Sequence, residues 1–325
     1  MKIGVIGSGS WGTAISILLD QNGHNVKVYS RDKETLERFN RGENPYFLPG
    51  IPINKRIKAY DDFECVTNEV EIIVLAVPAQ AVREVVKKIK NKKAIIVNLS
   101  KGIEIETGKL VNQIVSEELG DVKYCCLSGP SHAEEVARNI PTGVVIAGVD
   151  EKINKVVQKT FSNVSFRAYT NLDLMGVEIC GASKNIYAIA AGTIDGFGNW
   201  DNTKAFLITR ALVEMSRLGE FYGGTKETFM GLAGAGDMIV TCNSQHSRNR
   251  YVGELLGKGK KLKDILNSMN MVAEGVYTCK AVYNLIKKHN IEMPIAEKIY
   301  DVMYNEEEPR QAIHDLMSRT LKSEI

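Results

Sequence analysis

Met1-Lys2-Ile3-Gly4-Val5-Ile6-Gly7-Ser8-Gly9-Ser10-Trp11-Gly12-Thr13-Ala14 opens the chain and decides how its first half is read. The run from Ile3 to Ile6 is dense in Ile and Val, as buried strands are. Gly7, Gly9 and Gly12 then stand at G-x-G-x-x-G spacing ahead of a helical pattern. Each glycine has its own task in such a turn. Gly7 allows the tight exit from the strand, Gly9 lets backbone approach a pyrophosphate with no Cβ in the way, and Gly12 lets the helix pack closely on the sheet. Free N–H groups and the helix dipole then face the phosphates. Glycines also cluster in ordinary turns, but strand, loop and helix here follow in the order a dinucleotide-binding fingerprint requires.

Reading outward, a helix is predicted from about Trp11 to Asn22 and a second strand over Asn25 to Tyr29. The residue that reads the adenosine ribose lies about 20 positions past such a fingerprint. Ser30-Arg31 stands there instead of an Asp or Glu, and a hydroxyl with a guanidinium accommodates a 2′-phosphate. The cofactor expected is therefore NADP(H), with NAD(H) tolerated; the alternative is that Arg31 only begins a solvated helix over Asp32 to Arg41. Pro45, Pro49 and Pro52 forbid a regular element over Gly42 to Arg56 and predict an ordered loop near the cleft, of undefined role.

Strand and helix patterns then alternate: strands over Glu71 to Val77, Ala94 to Asn98 and Val122 to Leu127, helices over Ala79 to Lys90 and Thr107 to Leu119. Gly143 to Val149 and Ser165 to Tyr169 complete the sheet. Ser100-Lys101-Gly102 and Ser128-Gly129-Pro130-Ser131-His132-Ala133 follow strand ends, where open α/β sheets bind ligands, so Lys101 is a candidate anion or substrate contact. From Leu172 the patterns are helical. The fold class predicted is α/β, an N-terminal Rossmann-like doubly wound sheet (residues 1–170) with a second, mainly helical C-terminal domain (171–325) over the nucleotide crevice.

At 325 residues the chain is comfortable for two domains, and 41 basic against 39 acidic residues, net +2, argue against nucleic acid or an anionic membrane as partner. Cys65, Cys125, Cys126, Cys180, Cys242 and Cys279 form no C-x-x-C pair and fit reduced thiols. With no leader before the first strand and no apolar stretch of membrane-spanning length, a soluble cytoplasmic protein without membrane insertion is expected. His132 and His246 lack partners at ligand spacing, so no metal site is expected. The oligomeric state is not fixed by these features; they are compatible with a homodimer.

Two stretches of the second half carry candidate chemistry. Leu172 to Ile194 reads as a largely buried helix in which Lys184 is the only cation between Arg167 and Lys204, with Cys180, Ala188 and Ala191 at helical spacing around it. Such a lysine either snorkels to water or is held in a site, where burial lowers its proton affinity toward working pH as a general acid/base. Gly231 to Arg250 contains Asp237, suited to orient a lysine, and Ser247-Arg248-Asn249-Arg250, a concentration of donors suited to a phosphate. The alternative is a solvated turn before a helix starting near Arg250. Gly231, Gly234 and Gly236 lack a preceding strand and are not read as a second nucleotide loop.

Together these motifs resemble the NAD(P)-dependent glycerol-3-phosphate dehydrogenase family in its bacterial form. The resemblance runs through Gly7 to Ala14, Asn98 to Glu104, Ser128 to Ala133, Lys184-Asn185, Gly231 to Gly234, Gly236-Asp237 and His246 to Arg250. It implies reversible hydride transfer between NADPH or NADH and C2 of dihydroxyacetone phosphate, giving sn-glycerol 3-phosphate for glycerophospholipid synthesis, with Lys184 as proton donor and acceptor. It also implies cofactor contacts at Ser10, Trp11, Arg31, Lys101, Ala133, Arg248, Val272 and Glu274 beside Gly7, Gly9 and Gly12. Substrate contacts are implied at Lys101, Gly129, Ser131, Lys184, Asp237, Ser247, Arg248 and Asn249. Ser183 and Ala235 depart from the family pattern, where larger aliphatics are expected, and bear on local packing. The competing readings are a two-domain reductase of a hydroxy acid or phosphogluconate, and a non-catalytic NADP(H)-binding redox sensor.

Overall fold

The chain's eight strands are β1 (Lys2–Ile6), β2 (Asn25–Tyr29), β3 (Lys58–Tyr60), β4 (Ile72–Leu75), β5 (Ile95–Asn98), β6 (Tyr124–Ser128), β7 (Thr142–Ala147) and β8 (Phe166–Asn171). The structure is a computed structural model and describes every residue except 199, 270, 322 and 325. The strands form one sheet in the order β3-β2-β1-β4-β5-β6-β7-β8. Ile3 of β1 is paired with Val26 on one side and Ile72 on the other, both in parallel register. The order reverses at β1, so the carboxyl ends of β1 and β4 open the crevice that doubly wound sheets use for ligands. Both strands are apolar on both faces because helices cover the sheet on both sides.

The sheet departs from the expected pattern at its far edge. β7 runs antiparallel to β6, and β8 then runs parallel to β7. Connection length explains both directions. The helix between β6 and β7, Ala133–Ala137, has five residues and rises only ~7.5 Å, too little to carry the chain back along a strand. The eleven residues of Glu151–Phe161 suffice for the parallel crossover into β8. The predicted helix over Ala79 to Lys90 is a 3₁₀ turn, Ala79–Ala81, followed by the short helix Val82–Val86. The helix predicted from Thr107 begins at Val111, with the Gln113 side chain accepting the Leu110 N–H at 2.9 Å.

Beyond Asn171 the described residues form helices and turns only. The helix Leu174–Phe197 runs through the middle of this half and is buried over most of its 24 residues. Its core extends to Ile103, Leu110, Cys126 and Val145 of the first half, so the two halves share apolar contacts. The helix Arg248–Gly257 lies against it backbone to backbone. A Cβ on Gly253 would stand 1.9 Å from the Ile189 carbonyl oxygen, and one on Gly192 the same distance from that of Arg250.

This contact fixes the Ser247–Asn249 end of the short helix beside Lys184. Gly253→Ala should therefore force the helices apart, lowering stability by about 3 kcal/mol and Tm by about 6 °C or more in thermal unfolding. An unchanged Tm would show that the helices approach less closely.

Candidate active site

At the first crevice wall the three glycines divide the work as their spacing implies. Gly7 has φ +117°, and a Cβ on it would lie 2.3 Å from the Ala76 carbonyl oxygen; one on Gly12 would lie 2.0 Å from that of Gly7. Around Gly9 there is open space, where a Cβ would meet nothing within 4 Å. Gly9 caps the helix Ser10–Gln21 with no side-chain acceptor, which leaves first-turn N–H groups free for an anion. The buried Trp11 Nε1–H also has no acceptor. These features fit a dinucleotide pyrophosphate.

The Pro-rich loop over residues 42–56 clamps this turn. Asn44 donates to the Ser8 carbonyl and to Thr13 Oγ1, both at 2.8 Å, and the Ser10 hydroxyl donates to the Phe47 carbonyl. At the end of β2 the Ser30 hydroxyl is buried, accepting from Ser8 at 2.8 Å and donating to the Asp32 carbonyl. Arg31 is exposed and is thus the free group of that pair. Ala133 begins its short helix against Ser10–Gln21.

Glu274 comes from the other half. Its Oε1 accepts the Ala79 N–H after β4 at 3.2 Å, while its buried Oε2 has no donor. Burial pushes this carboxyl up to about 7. Met271 reaches the fingerprint, its sulfur 3.7 Å from the Ser10 hydroxyl, and Val272 is exposed between them.

Lys101, Gly129 and Ser131 lie at neighbouring strand ends: the Ser131 hydroxyl donates to the Gly129 carbonyl at 2.9 Å, and Lys101 Nζ is 3.4 Å from the same oxygen. Lys101 Nζ also donates to Asp237 Oδ2 at 2.7 Å. Asp237 Oδ1 accepts from Lys184 Nζ, which donates in addition to Thr241 Oγ1 at 2.8 Å. Lys184 does not snorkel to water; it is 7 % exposed and Asp237 only 1 %.

After Asp237 the chain stays helical to Asn243 and then makes an exposed turn at Gln245-His246. Ser247 and Asn249 are buried, and the helix starts at Arg248 rather than Arg250 because the Ser247 hydroxyl caps it, accepting the Arg250 N–H. The Asn249 side chain ties this helix to Asn185 and to the Gly275 N–H, each at 2.9 Å. Arg248 keeps part of its side chain exposed, while burial around its guanidinium lowers its proton affinity against the attraction of the Glu274 and Glu134 carboxylates. The glycine-rich stretch before Asp237 is a π-helical turn, Leu232–Gly236, preceded by the helix Lys226–Phe229 and not by a strand.

Two residues of this neighbourhood, Thr241 and Glu178, are not marked by the sequence, and His132 is marked there only as lacking a metal-ligand partner. Thr241 is one helical turn beyond Asp237, a spacing that places both on one face and was available as a signal. The buried His132 Nε2 has no partner, and its ring lies 5.7 Å from that of His246 across the two halves. Glu178 is buried six residues before Lys184; nothing in its local sequence marks it.

Family models described as the NAD-dependent glycerol-3-phosphate dehydrogenase N-terminus and C-terminus match residues 2–154 and 173–314. The chain belongs to this family. A glycerol-3-phosphate dehydrogenase (NAD(P)+) of Thermotoga sp. is 47 % identical over 325 residues, covering 100 % of this chain and 99 % of the relative. One from Fusobacterium nucleatum is 46 % identical with the same coverage. The crystal structure of glycerol-3-phosphate dehydrogenase from Coxiella burnetii superposes with a TM-score of 0.94 at 37 % identity, over 98 % of both chains.

In this family member the charges at the junction decide one another. Burial pulls the Lys184 ammonium down to about 8, against the attraction of Asp237 and with the repulsion of Lys101. Burial alone would raise the Asp237 carboxyl, but the two lysines hold it below the usual range. Asp237→Ala leaves two ammonium groups facing each other without an anion. It should cost roughly 3–5 kcal/mol in denaturant unfolding; a loss under about 1 kcal/mol would mean that water replaces the carboxylate.

Proposed function

We propose that this chain is an NAD(P)-dependent sn-glycerol-3-phosphate dehydrogenase that reduces dihydroxyacetone phosphate reversibly, with NADP(H) preferred over NAD(H). The observation that carries the reading is a buried lysine, Lys184, held on Asp237 where strand ends of the sheet meet the helical half. A redox sensor has no use for that lysine. Six free cysteines support the cytoplasmic setting, and sn-glycerol 3-phosphate as product fits glycerophospholipid synthesis.

Gly7, Gly9, Gly12, Ser10 and Trp11 would hold the pyrophosphate side of the cofactor, Arg31 a ribose 2′-phosphate, and Lys101, Ala133, Arg248, Val272 and Glu274 its remaining length. NAD(P)H, when bound, supplies the hydride that C2 of the substrate receives. Ser247, Arg248 and Asn249 would hold the substrate phosphate, and that remote binding energy aligns C2. Gly129, Ser131 and Lys101 would line the triose. Lys184 Nζ donates its proton to the alkoxide forming at C2, and takes it back in the reverse direction. Asp237 aims that ammonium, and Lys101 adds positive charge beside the developing anion.

The function is tested by the loss of NADPH absorbance with dihydroxyacetone phosphate. Unphosphorylated dihydroxyacetone should lower kcat/KM by ~10³-fold or more, because the phosphate contacts fall idle. Equal rates with both ketones would point to another reductase of this architecture. NADPH should outperform NADH, and a preference for NADH would remove Arg31 from the cofactor site.

Lys184→Ala should lower kcat by ~10³-fold while NADPH still binds in a fluorescence titration. With the ammonium deprotonating near pH 8, reduction should decline above that pH and oxidation of sn-glycerol 3-phosphate below it. Near-wild-type turnover of the variant would refute the assignment.

A further inference from the structure

Glu178 is a buried carboxylate with no ion pair among the described residues. Its hydrogen-bond partners are donors: the Tyr124 hydroxyl from β6, the Asn98 amide from the end of β5 at 3.4 Å, and the Asn112 N–H at 3.1 Å. Burial pushes it up to about 7. Keeping such a group in a shared core is costly, and an apolar residue would fill the space without that cost.

Its partners show what it holds. Asn98 closes the turn that follows β5, accepting the Ser100 N–H at 2.8 Å and donating to the Ser100 carbonyl at 3.1 Å. The next residue is Lys101. Its aliphatic stem crosses the Leu174–Phe197 helix at Gly181, where a Cβ would stand 3.4 Å from Lys101 Cγ. Glu178, Gly181 and Lys184 share one helix face at a spacing of three. The route from Glu178 through Asn98, the turn, Lys101 and Asp237 therefore returns to Lys184 on the helix where it started.

We propose that Glu178 is a positioning residue for the reaction: it holds the Asn98–Lys101 turn so that Lys101 shares Asp237 with Lys184, and so sets how tightly Lys184 keeps its proton. The proposal rests on the dehydrogenase reading above. If the turn loosens, Lys101 no longer repels Lys184 at short range and no longer competes for Asp237. Both changes make Lys184 hold its proton more tightly. The other groups facing Lys184 are the His132 ring and the Cys242 thiol, and those facing Glu178 are the Cys126 thiol and Tyr124, which also reaches Asn98.

The test is the pH profile of dihydroxyacetone phosphate reduction by the intact enzyme. Glu178→Gln keeps the volume but turns one end of the group into a donor. It should move the alkaline decline about half a pH unit upward and raise KM for dihydroxyacetone phosphate ~10-fold. Tyr124→Phe should act in the same direction and more weakly, and carries the test if the Gln variant fails to fold. In a Lys101→Ala background, Glu178→Gln should change neither quantity further. An unmoved decline, or a shift that persists in full without Lys101, would overturn the proposal. A wild-type enzyme that does not reduce this substrate would instead overturn the dehydrogenase reading.

Discussion

Two ammonium groups from opposite halves of the chain converge on one buried carboxylate, and the arrangement of the site depends on that contact. Asp237 is shared by Lys101, at the end of a sheet strand, and Lys184, on the long buried helix. Lys184 could not be kept this far from water without an anion, and the two ammonium groups together hold the buried carboxylate ionised. The ion triad therefore requires the two halves to be assembled. It is also an electrostatic balance: burial and Lys101 act to deprotonate Lys184, Asp237 acts to keep it charged, and the outcome near pH 8 leaves both protonation states accessible in ordinary solution.

Glycine sets the distances that make this balance hold. Gly192 and Gly253 let two helices touch through their backbones, so that the Ser247 cap and the Asn249 amide sit beside Asn185, next to Lys184. Gly7 and Gly12 do the same for strand, turn and helix at the other wall. A Cβ in any of these places would stand 1.9–2.3 Å from a carbonyl oxygen, so the backbones on either side would have to move apart. Apolar burial supplies the stability of both halves, and the glycines decide their spacing.

Much of this was legible in the sequence because it is local. The fingerprint from Ile3 to Gly12, the isolated cation at Lys184 and the donor cluster at Ser247 to Arg250 each announce themselves by spacing, and the whole motif set resembles the family the chain belongs to. What escaped is set by distant partners or by length. β3 is a three-residue edge strand too short for periodicity. The reversal of β7 follows from a helix of only five residues, a length that no pattern along the sequence announces. Asp32 and Ser8 occupy the Ser30 hydroxyl, so only Arg31 of that pair remains free, which no pattern along the strand reveals.

Glu178 shows most sharply why such residues are missed. A glutamate in a helix is ordinary, and only the tertiary structure shows that its hydrogen-bond partners on both sheet strands and at a helix start are donors. The cost of its burial is offset by ordering three segments of the first half against a helix of the second. A carboxylate does this better than an apolar residue because hydrogen bonds fix direction while hydrophobic contact does not. Packing brings Lys101 near Asp237; direction decides whether its ammonium reaches the same carboxylate that holds Lys184. In this chain the apolar core joins the halves, and a small number of buried polar groups fixes their register.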